Sequence, residues 1–398
     1  MRKKITLSAA ISYMFIAMTV TFCLTMVLSS RMFEAKVQSV NEKESMYDKV
    51  SDIDRVVRQN YYSEIDDSEI YENLSRGYVN GLNDSESRYL TAKEVTEYQE
   101  EMSGKIIGIG IDIAKSREDS GYMKVYNVYT ESPADVQGIE VGDLISSING
   151  ISTINMSEAD AIAMLSGKSG TDVDIVYLHD SAENEATLTH KAYDAPSVSY
   201  SEEDKVGYIK ITAFSGRTAS ELEYAVNNLA NQEVKSLAID IRGNASRDFD
   251  SAAAAADVVL KEGTTMYAVY QGDDRKVLYT SDKTTTDLPM VVITNGETGY
   301  AAEMFAMMLK DTAGAKTTGT ATMGKGTLQK LFRLPDGSGV VLTVAKLSPV
   351  ASSSYSGSGI LPDYEKNIDS SVDIHSLTIS TDPQIQRAFE VAKNLANQ

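Results

Sequence analysis

Lys325 stands between two glycines in the run GTATMGKGTLQ, and the stretch leading to it, 293–329, holds the residue types best suited to chemistry. Met290, Val291, Val292 and Ile293 read as the end of a buried strand. A Gly-bearing turn follows, then an Ala/Met-rich helix over about 301–309. The start of a helix offers unpaired backbone N–H groups that stabilise an anion. A lysine stripped of water can lose its proton near neutral pH and act as a base. Those are two of the three parts of serine–lysine hydrolysis. The third, a serine at the helix start, is missing.

Alternating strands and helices must position these groups. The spacing predicts a strand over 206–214, an amphipathic helix over 219–229 and a buried strand over 236–242 that ends in the loop GNASRDFD. A second helix over 252–260 and strands over 267–269 and 276–279 come next. This order predicts a mixed α/β layer with largely buried strands, whose ligands lie beyond the strands' carboxyl ends. Arg242 and Gly296 both fall just past strand ends, so their loops are expected to face one cleft.

Between the N-terminal third and this layer the period changes. IIGIGIDI (106–113) alternates glycine with aliphatics, and a strand over 123–129, a helix over 157–165 and a strand over 173–178 complete a compact unit. The segment SPADVQGIEVGDLISSING resembles a PDZ domain. That resemblance implies capture of a peptide C-terminus by strand addition, with backbone N–H groups of Gly108, Ile109, Gly110 and Ile111 receiving the carboxylate. The alternative is that these glycines merely permit close strand packing.

Upstream, Arg2, Lys3 and Lys4 precede an uncharged run over 5–30. Its length suits a membrane-spanning helix, and the basic tip predicts a cytoplasmic end with the bulk of the chain extracytoplasmic. A cleaved signal peptide is the alternative. Cys23 is the only cysteine and is expected as a small apolar residue within the span, so no intrachain disulfide is available. The region 34–104 is charged and helical in pattern, a stalk or packing module. The formal charge of −20 argues against a nucleic-acid partner. His179, His190 and His375 are far apart with no metal-ligand spacing, so neither metal nor cofactor is expected.

Taken with NGLNDSESRYLTAKEVTEYQEEMSGKIIGIG, VGYIKITAF, SLAIDIRGN, GTATMGKGTLQ, LPDGSGVVLTVAKLSP, GSGILPDY and DPQIQRAFEVAKNL, the chain resembles the carboxyl-terminal processing peptidases, the S41 serine–lysine proteases. The resemblance places Lys325 at the general-base position, Gln329 at the base-orienting position and Tyr300 where the family has its nucleophilic serine. It also makes Gly243, Asn244, Ala245 and Ser246 the oxyanion loop, with Ser246 and Arg247 in place of a glycine pair that supplies backbone freedom. Thr298 and Ser246 are the other hydroxyls within sequence reach. Without a serine to deprotonate, Lys325 is expected to be charged and paired with Glu297 or Glu303.

The expected organisation is a cytoplasmic tip and anchor (1–33), a helical region (34–104), a PDZ domain (105–195) and an S41-type α/β core with a C-terminal helix (196–398). The implied function is that of a membrane-anchored pseudoprotease that binds C-terminal segments of exported proteins or peptides. It would act alone, as a homo-oligomer or with an active relative. A working endopeptidase with altered chemistry and a plain structural stalk are the competing readings.

Overall fold

The computed structural model describes residues 7–102, 106–115, 121–193, 195–282, 286–369, 372 and 377–397. The basic tip at 2–4, the boundary expected at 104/105 and His375 lie outside the described residues. The chain separates into two compact units, Met1–Asn73 and Leu74–Gln398.

In the first unit a single helix, α1 (Leu7–Asn60), runs through what the sequence suggested as a span followed by a separate stalk. Its last turn is fastened by Arg58, which reaches Asp54 at 2.9 Å and also pairs with Asp67. Asp67 opens α2 (Asp67–Asn80). Among the described residues no helix is long and apolar enough to cross a membrane, so the spanning helix expected over 5–30 is not shown.

The second unit takes in the end of the expected helical region. The strand Arg88–Leu90 and α3 (Ala92–Met102) pack there through Leu90, Val95 and Tyr98 against Val341. The PDZ-like part follows, with α4 (Pro133–Gln137) and α5 (Glu158–Leu165). Its sheet begins at Ile111–Lys115, an edge strand whose one partner among the described residues is Met123–Val128. The core of this part is apolar, built from Met123, Val125, Ile145, Ile148 and Val173.

The remainder is a six-stranded sheet, with α6 (Thr218–Asn231), α7 (Phe249–Asp257) and α8 (Ala301–Ala313) on one face and α9 (Pro383–Ala396) on the other. Its order is Val198–Glu203, Val206–Ile211, Ser236–Asp240, Met290–Thr294, Lys316–Gly319 and Tyr364–Glu365, parallel except for the first pair. Side chains on a strand alternate between faces. Accordingly Ile209, Leu237, Ile239 and Val292 meet the three-helix side, while Tyr208, Ala238, Val291 and Ile293 meet α9. Asp240 falls on the α9 face and is fully buried. There it receives Arg242, whose Nη1 also donates to Asp382 Oδ2 at 2.8 Å. Asp382 is the N-cap of α9, so this one arginine ties the helix to the strand end.

A second, antiparallel sheet lies against this layer. Its strand Gly339–Ser348 pairs on one edge with Arg88–Leu90 and Gly263–Tyr270, and on the other with Thr327–Arg333. Asp274–Ser281 extends it beyond Gly263–Tyr270.

Candidate functional site

Tyr300 sits at the N-cap of α8 with φ 52° and ψ −114°. A non-glycine residue in that region stores on the order of 1–3 kcal/mol of strain. The turn before it is over-determined and can hold such strain. Asn295 Oδ1 accepts the Gly243 N–H at 3.0 Å and the Glu297 N–H at 3.2 Å. Thr298 Oγ1 donates to the Ile241 carbonyl at 3.1 Å and is fully buried, which removes it as an alternative nucleophile.

The loop after Ser236–Asp240 meets this turn directly. Gly243 takes φ 74°, whereas Ala245, Ser246 and Arg247 do not enter the left-handed region. Asn244 is buried and its carbonyl accepts the Gly299 N–H at 3.0 Å. The Ser246 carbonyl accepts the Ala301 N–H, also at 3.0 Å. Ala301 is the first residue of α8, so its N–H is one of the donors a helix start would offer an anion. That donor is already in use. Ser246 Oγ accepts from the Phe214 N–H at 2.9 Å, so its hydroxyl serves the loop.

Lys325 lies just before Thr327–Arg333, and its Nζ donates to Glu86 Oε1 at 2.5 Å. The pairing expected with Glu297 or Glu303 is corrected here. Glu303 is fully buried and is consumed by backbone instead, accepting the N–H groups of Gly324 at 2.7 Å, Lys325 at 2.7 Å and Tyr300 at 3.2 Å, and the Thr322 hydroxyl. Burial pushes its carboxyl above the usual glutamate range despite those four bonds. Gln329 Nε2 donates to the hydroxyls of Thr327 at 2.8 Å and Thr343 at 3.3 Å.

Glu86 and Arg247 are the residues the sequence reading missed as site members. Arg247 sits over the Tyr300 ring, its Cζ 3.7 Å from the centroid, and Nη2 donates to Tyr300 Oη at 2.5 Å. Its Nη1 reaches Glu86 Oε2 at 3.3 Å, and Tyr300 Oη donates to the same oxygen at 3.2 Å. Burial alone would raise the Glu86 carboxyl, but Lys325 and Arg247 more than offset it and hold it low. The same ion pair raises the Lys325 ammonium above its ordinary value. Burial also raises the Tyr300 phenol, against the pull of Arg247. A lysine held protonated is the reverse of what a general base requires, and a phenol raised above its ordinary value is harder to activate as a nucleophile.

A low folded-state value for Glu86 gives a signed expectation. Its contribution to stability is complete above the ordinary glutamate range and is lost as pH falls through the depressed value. The melting temperature of the parent should therefore exceed that of Glu86→Gln at neutral pH, with the gap closing in acid. A constant gap across a pH series would refute the assignment.

In the PDZ-like part, Gly108 ends the strand Ile106–Gly108, Ile109 and Gly110 form the break, and Ile111 opens the edge strand. The four line a groove of about 270 Å³ against Ile162 and Leu165 of α5. Gly110 has φ +81°, and a Cβ there would lie 2.1 Å from Ser132 Cβ. Its glycine is thus required by the backbone. At Gly108 the nearest contact to a Cβ would be 3.4 Å, an ordinary approach. Among the described residues no cluster of His, Cys, Asp or Glu could hold a metal ion.

The comparisons agree with this architecture. The Peptidase family S41 model matches residues 205–366, and a PDZ domain model matches residues 124–178. The chain is 30% identical over 340 residues to the carboxy-terminal processing protease CtpA of Bacillus subtilis, covering 83% of this chain and 72% of that one. It is 27% identical over 325 residues to a probable CtpA-like serine protease of Staphylococcus epidermidis, covering 81% of this chain but only 66% of the relative's length. Among solved structures, a photosystem II D1 C-terminal processing protease superposes with a TM-score of 0.51 at 23% identity, over 77% of this chain and 84% of that one. A putative S41 protease from Bacteroides fragilis gives 0.52 at 18% identity, over 86% and 97%. At such identities the two structures speak for the fold. With the sequence match to the Bacillus protein they lead to one conclusion: this chain belongs to peptidase family S41, as a CtpA-like member with a PDZ domain.

Proposed function

We propose that this protein is a catalytically impaired S41 member that binds the C-terminal segments of exported proteins or peptides through its PDZ groove. The observation that carries the reading is Tyr300 at the helix-start position, its ring under Arg247 and its hydroxyl within reach of Glu86. The phenol oxygen extends past where a serine oxygen would sit, and the lysine beside it is held charged. Impairment on this view is compound, since the base, the nucleophile and an oxyanion donor are each engaged elsewhere.

The binding half of the proposal is supported by the edge strand Ile111–Lys115, which among the described residues keeps one side without a strand partner and faces α5 across the groove. An extended peptide adds to such an edge through main-chain hydrogen bonds, and its carboxylate would meet the N–H groups of the 108–111 segment. The uncharged run over 5–30 behind a basic tip supports a single-pass anchor with the body outside the cytoplasm. Association with an active relative or a second copy fits a protein that binds without cutting.

The test uses the full chain and a peptide library with free or amidated C-termini, together with an unfolded protein chain followed by mass spectrometry. Free C-termini should bind at least about tenfold tighter, a difference of ~1.4 kcal/mol, and the unfolded chain should stay intact. Equal binding of the two forms would remove carboxylate capture. Cleavage that disappears in Lys325→Ala would establish a working endopeptidase instead.

A further inference from the structure

Glu86 is held in the cleft as a bound ligand's carboxylate would be. Lys325 Nζ donates to one oxygen at 2.5 Å, while Arg247 Nη1 at 3.3 Å and Tyr300 Oη at 3.2 Å converge on the other. Two cations and a hydroxyl on one carboxylate make a charge-assisted set of the kind used to recognise acidic groups. All three donors come from the protease-like core: the α8 start, the loop after Ser236–Asp240 and the turn before Thr327–Arg333. The carboxylate comes from elsewhere, the turn at 84–87.

The donors are also placed by contacts that do not involve Glu86. Arg247 is fixed on the Tyr300 ring at 3.7 Å, and the Lys325 backbone N–H is fixed on Glu303 at 2.7 Å. Glu86, for its part, is presented by a local turn in which its N–H donates to Asp84 Oδ1 at 3.1 Å and Ser87 Oγ donates to Asp84 Oδ2 at 2.6 Å. The Thr343 N–H then donates to Ser87 Oγ at 3.0 Å and anchors that turn to the sheet. A carboxylate tethered so closely has a high effective concentration, which excludes weak outside ligands.

We propose that Lys325, Arg247 and Tyr300 form a carboxylate-binding site, occupied in cis by Glu86, and that the outside ligand competing for it is a free carboxylate, of a small acid or of a chain terminus. This site is separate from the PDZ groove and stands whether or not the groove binds peptides.

Acetate tests it by chemical rescue. In the full chain carrying Glu86→Ala, sodium acetate at constant ionic strength should raise the melting temperature saturably, by roughly 2–4 °C over matched sodium chloride. The parent should show no acetate-specific rise, and the Glu86→Ala/Lys325→Ala double variant should lose it. An absent rise in Glu86→Ala, or an equal rise in the parent, overturns the site. Should Glu86→Ala fail to fold, Glu86→Gln keeps the side-chain shape. There the Arg247 Nε–H resonance should shift saturably with acetate, and no shift has the same negative meaning. Formate should displace acetate in Glu86→Ala, a short peptide with a free C-terminus should do so as well if chain termini are the source, and displacement by the amidated peptide would overturn recognition of the carboxylate. Equal binding of free and amidated peptides at the groove would leave every acetate result unchanged, so the two readings fail separately.

Discussion

Tyr300→Ser alone is expected to leave the protein without measurable cleavage of an unfolded substrate. The substitution supplies an oxygen of the right size but neither of its helpers. Lys325 stays on Glu86 at 2.5 Å and charged, so it cannot take the serine proton. The Ala301 N–H stays on the Ser246 carbonyl at 3.0 Å, so it cannot meet a tetrahedral oxygen. Loss of one such donor lowers the rate by about a hundredfold to a thousandfold. Adding Glu86→Gln frees Lys325 and should produce the first detectable turnover, still limited by the oxyanion loop. Mass spectrometry of the substrate after long incubation reads all three proteins. Efficient cleavage by Tyr300→Ser alone, abolished by Lys325→Ala, would mean that the hydroxyl was the sole lesion.

The largest loss of stability should come from Glu303→Ala. That carboxylate accepts three backbone N–H groups and the Thr322 hydroxyl from a fully buried position. Thr322 Oγ1 in turn accepts the Ile360 N–H at 2.8 Å, so one side chain joins the loop before Thr327–Arg333 to the loop at 357–360. Each buried donor left without a partner costs about 1–3 kcal/mol. A total of about 3 kcal/mol or more follows, seen as a drop of roughly 6–12 °C in melting temperature at ~2–4 °C per kcal/mol. A drop below a few degrees would show that the two loops are held by something else. The pH sign at Glu303 is opposite to that at Glu86. Its folded value lies above the unfolded one, so the folded state binds the extra proton and stability falls as pH rises through that window.

Much of this was legible in the residues, and the rest was hidden for physical reasons. The helix over 301–309 was predicted and runs Ala301–Ala313; its buried residues end at Leu309, and the apolar run that marks it in the sequence ends there too, while the last four residues are partly or fully exposed before Gly314 ends it in the left-handed region. The strand over 206–214 stops at Ile211, where its partner Val198–Glu203 begins; the Thr212 N–H makes one last bond, to the Ser197 carbonyl. The helix expected over 252–260 starts earlier, at Phe249, where Asp248 caps it by accepting the Ser251 N–H at 3.0 Å. The run at 106–113 alternates as one strand would, yet the left-handed Gly110 breaks it in two. At the site, Lys325 and Tyr300 could be placed from their local sequence. Glu86 could not, because no local pattern couples it to a residue 239 positions away. Arg247 was read as a missing glycine, and its ring contact depends on how two loops approach each other.

The strand Gly339–Ser348 brings Glu86 and Lys325 within reach, and that has a consequence for the order of assembly. The ion pair can close only after Arg88–Leu90 and Thr327–Arg333 have both registered on that strand, from opposite edges. Closing so long a separation is slow and entropically costly until the sheet is in place. The ion pair is therefore expected to close late, after the sheet has registered. Substitutions at Glu86 or Lys325 should act on the unfolding rate while leaving the folding rate nearly untouched. In kinetic terms the pair is a clasp, fastened last and released first.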